Sequence, residues 1–158
     1  MWYPFTLNCN GCPASSGYAP GDPRSTEPTA QNAYIGLNAA TTVANNAAVP
    51  LNIVYNSSGT HISGTSPITL RVGHKYLVEY SVIGKPAAAT DAMGAKLQLN
   101  GVDVAGSAAA AAAVVNAQSV SGGAIVSVTG ANSTLTLVGI STTNALYSYA
   151  SVRIIEVE

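Results

Sequence analysis

Two cysteines, two histidines and seven carboxylates are the residues of this 158-residue chain best suited to redox, metal or acid–base chemistry. Cys9 and Cys12 form a lone C-x-x-C. A thioredoxin-type redox role needs a strand–helix–strand setting, and a Pro-rich stretch follows instead. A zinc site needs four ligands, and the remaining candidates, His61 and His74, are distant in sequence. Three readings stay open for the thiols: free or locally oxidised on a loop, cross-linked between subunits after assembly, or gathered from several chains around a metal. The two histidines read as turn or surface residues, since no G-x-S-x-G and no H-E-x-x-H accompanies them. Asp22, Glu27, Glu79, Asp91, Asp103, Glu156 and Glu158 are scattered, with no spacing that predicts a catalytic pair. Lys75 and Glu79 fall on one face of a strand, either solvated or paired across a subunit contact. Ser121-Gly122-Gly123 reads as a hairpin turn, because no Lys-Ser/Thr and no helix follow it as a phosphate loop requires. Asn56 and Asn132 open N-x-[ST] matches that carry no inference without a secretory signal. The expectation is therefore no enzyme, no cofactor and no metal site.

The elements that hold these residues divide near residue 33. Before it lie Pro4, Pro13, Pro20, Pro23 and Pro28, five of the eight prolines. Proline lacks the N–H and fixes φ, so residues 13–32 cannot run as helix or central strand and should be an extended connector, partly polyproline II. Ahead of it sits an apolar head, Trp2, Tyr3, Phe5 and Leu7. Each such side chain gains roughly 1.5–3 kcal/mol on burial, so the head should dock on a surface. From residue 33 on, the pattern is β. Strands are expected over 34–38, 41–44, 49–55, 61–63, 68–72, 75–83, 95–99, 102–105, 124–128, 133–138 and 149–157. Asn56-Ser57-Ser58-Gly59 and Asn100-Gly101 read as turns, the latter a strong hairpin signal. Within 75–83, Tyr76, Val78, Tyr80 and Val82 alternate against Leu77, Glu79, Ser81 and Ile83. Near the C-terminus Tyr149, Ser151, Arg153, Ile155 and Val157 alternate against Ala150, Val152, Ile154 and Glu156. Residues 107–118, SAAAAAAVVNAQ, have helical propensity but sit inside a strand series, and a strand packed where only small side chains fit is the reading adopted. Short strands with frequent turns define a β-sandwich or barrel.

Composition removes several classes of function. Charged residues are 8% of the chain, six basic against seven acidic, compared with about 25% in a typical domain. There is no basic stripe for nucleic acid and no electrostatic landing pad for a lipid surface. The longest apolar run, residues 108–115, is eight long, whereas a membrane span needs about 18. Met1-Trp2-Tyr3-Pro4-Phe5 lacks the basic and apolar regions of a signal peptide. A near-neutral surface of Ser, Thr, Asn and Gly tolerates contact with copies of itself.

Four segments then resemble a known family. PITLRVGHKYLVEYSVIG (67–84) resembles the Gly-x-Tyr-x-Val-x-Tyr block of the tumour-necrosis-factor/complement-C1q jelly roll, and most of all its bacterial branch, the C-terminal domain of collagen-like exosporium proteins (BclA-like). LQLNGVDVAGS (97–107) resembles that branch's Leu-x-Leu-Asn-Gly turn. SGGAIVSVTGANSTLTLVGIS (121–141) looks like its next hairpin, and YASVRIIEVE (149–158) like its closing strand. The resemblance implies an all-β jelly-roll β-sandwich that trimerises, with residues 33–158 as the trimerisation domain and residues 1–32 as an N-terminal arm. The family is mostly structural, without catalytic residues to carry over. This chain lacks the collagen-like stalk.

Two functional classes follow. In the first the chain is a self-assembling fibre subunit of the bacterial endospore-appendage type. Its homotrimers are joined head to tail by arms that dock Trp2, Tyr3, Phe5 and Leu7 on a neighbour, with Cys9 and Cys12 available for inter-subunit disulfides. At about 3.1 Å per residue residues 13–32 span about 60 Å, further than the roughly 35 Å width of such a domain. A phage head or tail fibre, or a decoration protein with the arm anchored in the virion, is the alternative within this class. Either places the protein on a spore or virion surface without a signal peptide, with itself and an anchor protein of the coat, exosporium or virion as partners. In the second class the trimer is a carbohydrate- or receptor-binding head and the arm a tether.

Overall fold

The computed structural model describes residues 31–112, 116–131 and 133–158. Alternation of apolar and polar side chains builds its longest strands. In residues 75–83 the inward set Tyr76, Val78, Tyr80 and Val82 is buried, while Glu79 and Ile83 are exposed on the other side. Twelve strands lie among the described residues: β1 (Asn32–Gly36), β2 (Thr41–Ala44), β3 (Ile53–Ser58), β4 (Ile62–Gly64), β5 (Ile68–Leu70), β6 (Lys75–Pro86), β7 (Met93–Leu99), β8 (Val102–Asp103), β9 (Ala109–Ala111), β10 (Gln118–Ser127), β11 (Ser133–Ser141) and β12 (Asn144–Glu156). They form two antiparallel sheets. Sheet A has the order β10-β6-β12-β1-β3, with β2 also on β12. Sheet B has the order β4-β5-β11-β7-β8, with β9 also on β7.

The core lies between the sheets, where Ile35, Val78, Val152 and Ile154 of sheet A face Ile68, Leu70, Leu97, Leu135 and Leu137 of sheet B. Tyrosines tie the layers together. The Tyr80 hydroxyl contacts the carbonyls of Ala95 at 2.6 Å and Ser107 at 2.7 Å. Tyr147 crosses to the Gly94 carbonyl at 2.6 Å. Burial raises both hydroxyls above their ordinary range, that of Tyr147 to about 12. Donating to buried carbonyls satisfies these phenols inside an apolar core.

Several expectations hold and several need correction. Asn100 (φ 52°) and Gly101 (φ 78°) make the tight turn from β7 into β8. Asn56-Ser57-Ser58 is not a turn but the end of β3, and the chain reverses at Gly59 instead. Ser121-Gly122-Gly123 is not a hairpin either: it runs through the middle of β10, opposite Ser81, Tyr80 and Glu79 of β6. A Cβ on Gly122 would lie 2.6 Å from the Tyr80 hydroxyl, so the glycine clears space for that ring. Residues 121–141 do not form a hairpin, since β10 pairs with β6 in sheet A and β11 with β5 and β7 in sheet B. The connection between them passes from one sheet to the other. Within 107–118, strand is found at Ala109–Ala111 and from Gln118, and residues 113–115 lie outside the described residues. The small-residue reading holds at β9, where Ala109 and Ala110 pair with Ala95 and Gly94, and a Cβ on Gly94 would collide with the β9 backbone.

Candidate functional site

Two places on this frame collect polar chemistry. The first is at one end of the sandwich. His61 directly precedes β4, His74 directly precedes β6, and Glu156 ends β12. Alternation puts Glu156 on the inward face of β12 with Ala150, Val152 and Ile154, and it is 6% exposed. Its two oxygens meet both rings, Oε2 at 2.6 Å from Nδ1 of His61 and Oε1 at 3.0 Å from Nδ1 of His74. The ring centroids stand 4.5 Å apart. Nε2 of His61 lies 2.7 Å from Nη1 of Arg71. A guanidinium only donates, so Nε2 accepts and the ring proton sits on Nδ1, donated to Glu156. The side chain of Gln31 clasps the same corner. Its Oε1 accepts from the backbone N–H groups of Thr60 and His61 at 2.8 and 2.9 Å, while its carbonyl accepts from Glu156 N–H at 3.0 Å. Gly59, at φ +81°, leaves room for that side chain.

The histidines do sit at turns, as expected from sequence, but they are partly buried and paired with one carboxylate. Sheet pairing joins positions 13 and 82 residues apart, a separation no local motif reports. The available signal was the carboxylate at an inward position of the β12 alternation. These three side chains offer ligand atoms all within 4.8 Å of one another.

The second place is the outer face of sheet A. Tyr34, Glu79, Ile125, Tyr149 and Arg153 help to line an open groove of about 740 Å³ across β1, β12, β6 and β10. The Tyr34 and Tyr149 hydroxyls are 2.7 Å apart. That hydrogen bond is the main cause holding the Tyr34 hydroxyl below its usual range. Arg153 stands over the Tyr34 ring at 5.7 Å, and Tyr55 stacks beside it at 4.9 Å. Glu79 lies on this face, and Lys75 and Glu79 are both exposed, with Lys75 pairing with Glu158 within the chain. Of the other carboxylates, Asp91 is buried and accepts from Thr143 Oγ1 at 3.0 Å. Asp103 accepts from Lys96 and Gln98, and Lys96 first among these holds it below the usual carboxylate range. Trp2, Tyr3, Phe5, Leu7, Cys9 and Cys12 lie outside the described residues, as do Asp22, Glu27 and Asn132.

Two packed antiparallel sheets with this crossing pattern define a TNF-like jelly roll, and comparison with solved structures agrees. The chain is similar to PRD1 vertex protein P5, with a TM-score of 0.53 and 12% identity over 82% of this chain and 98% of that one. It is also similar to Eiger TNF from S. frugiperda, with a TM-score of 0.57 and 11% identity over 81% and 92% of the two chains. No family model matches the chain, and no curated protein matches its sequence. The likeness shows the jelly-roll fold and does not single out the exosporium branch.

Proposed function

We propose that this chain is a structural subunit that assembles with copies of itself, as a homotrimer built on the outer face of sheet A, and that the particle it serves is a virion. The observation that carries the self-association is the contrast between the two outer faces. Sheet B presents Ser63, Thr69, Lys96, Gln98, Thr134 and Thr136. Sheet A presents the tyrosine cluster together with Ile83, Ile125 and Ile155, which are 37%, 64% and 38% exposed. Between them lie Glu79, Arg153 and the serines Ser81, Ser121 and Ser151, giving the mixed apolar and polar surface typical of protein interfaces. The low net charge of −1 removes repulsion between copies. The name of PRD1 vertex protein P5 places that similar fold at a vertex, which supports the virion over the endospore appendage considered from sequence.

On this reading the arm is the anchor. Trp2, Tyr3, Phe5 and Leu7 dock on a virion protein or on the next trimer, and Cys9 and Cys12 are placed to cross-link what the arm joins. A head-to-tail contact of this kind does not close and would give a filament, whereas anchoring gives a single knob. Light scattering on the purified chain tests the trimer: about three times the 15.9 kDa chain mass is expected. A monomer at every concentration would overturn it. Electron microscopy separates knob from filament. Deleting residues 1–12 should leave trimers intact and abolish either attachment.

A further inference from the structure

We propose that His61, His74 and Glu156 form a binding site for a transition-metal dication of the zinc type. Three different segments converge there from both sheets, and their ligand atoms lie within 4.8 Å of one another. Both imidazoles turn the same nitrogen, Nδ1, towards the two oxygens of one carboxylate. An ion with ligand distances of about 2.0–2.2 Å takes the place of the protons now shared between these groups. Small side-chain rotations close the set around it. Two imidazoles with one carboxylate suit zinc and its neighbours in the transition series, whereas calcium and magnesium prefer all-oxygen sets. The burial is graded in the way a metal site needs. The Glu156 side chain is 5% exposed, and those of His61 and His74 are 15% and 26% exposed, which leaves an entry from solvent and an open fourth position for water.

Arg71 makes the proposal sharper. Its hydrogen bond to Nε2 holds the His61 proton on Nδ1, the atom the metal needs. Binding therefore requires the Nδ1 proton to leave to solvent and Nε2 to take one up, and it requires the exposed Arg71 guanidinium to swing away from a ring nitrogen that no longer accepts. The metal and the Arg71 contact compete. A bound ion would join the start of β4, the start of β6 and the end of β12, fastening the two sheets beside the Gln31 clasp.

The test uses the full chain carrying Cys9→Ser and Cys12→Ser, because thiols take up zinc on their own. Calorimetric titration with Zn²⁺ should show one ion per chain, and Co²⁺ should develop the visible bands of a four- or five-coordinate nitrogen–oxygen site. The thermal midpoint should rise with Zn²⁺ and return with EDTA. His74→Ala, at the more exposed ligand, should weaken binding by about tenfold or more, and His61→Ala likewise. Arg71→Ala should tighten it roughly three- to tenfold, the weight of one hydrogen bond. A hydrogen-bonded His–Glu–His cluster with no metal function would bind nothing saturably. That result would overturn the proposal, as would a His74→Ala chain that binds as tightly as its parent, looser binding in Arg71→Ala, or Mg²⁺ bound as well as Zn²⁺.

Discussion

Ile125→Arg is the substitution that most directly probes self-association. Ile125 sits on β10, an edge strand of sheet A, opposite Leu77 of β6, and keeps 64% of its surface exposed. Fully burying an isoleucine is worth about 1.5–3 kcal/mol, so covering the remaining two thirds yields about 1–2 kcal/mol per chain. Three copies then contribute about 3–6 kcal/mol to a trimer, equivalent to about 10²–10⁴ in its dissociation constant. Arginine removes this gain and adds the cost of desolvating a guanidinium in an apolar contact. The monomer should be indifferent, because the side chain points away from the core and β10 keeps its pairing with β6. Sedimentation equilibrium over a concentration series gives the association constant, and circular dichroism checks the fold. The reasoning is refuted if the arginine variant keeps the parent's mass at every concentration, or if Thr136→Arg on the opposite face weakens assembly as much.

Alkaline pH should loosen the domain through its inward tyrosines. The Tyr147 hydroxyl is raised from 10.0 to about 12, first by burial, so the folded state holds the phenolic proton more tightly than the unfolded chain. Its stabilising share is complete below pH 10 and is lost as pH climbs towards 12. Tyr147→Phe should lower stability at pH 8 by about 1 kcal/mol through the lost hydrogen bond and flatten the decline above pH 10; urea midpoints across that range check both, and an unchanged slope would count against it. Cys9→Ser with Cys12→Ser should leave the thermal midpoint of the trimer where it was while lowering the resistance of any assembled polymer to heat or detergent, read by non-reducing electrophoresis and microscopy.

What the sequence by itself determined was the β character and the inward and outward faces of the long strands. Period-2 alternation is a local property, so Tyr76, Val78, Tyr80 and Val82 were assigned to one face correctly, as were Ala150, Val152, Ile154 and Glu156. Asn100-Gly101 was legible because a two-residue turn with positive φ at both positions restricts its residues. The glycines at 122 and 123 were misread for a tertiary reason: the first makes way for the Tyr80 ring, and the second closely approaches the backbone at Val78. Neither needs a turn. The 121–141 segment was misread because a hairpin and a crossover between sheets have the same local pattern, two strands and a short polar loop. Only pairing across the whole chain distinguishes them. The His61–His74–Glu156 cluster was hidden for the same reason. Each residue is ordinary in its own segment, and the geometry exists only once β12 pairs with β6 and the two sheets close over their shared core. A local pattern fixes which way a side chain faces; long-range packing chooses what it faces.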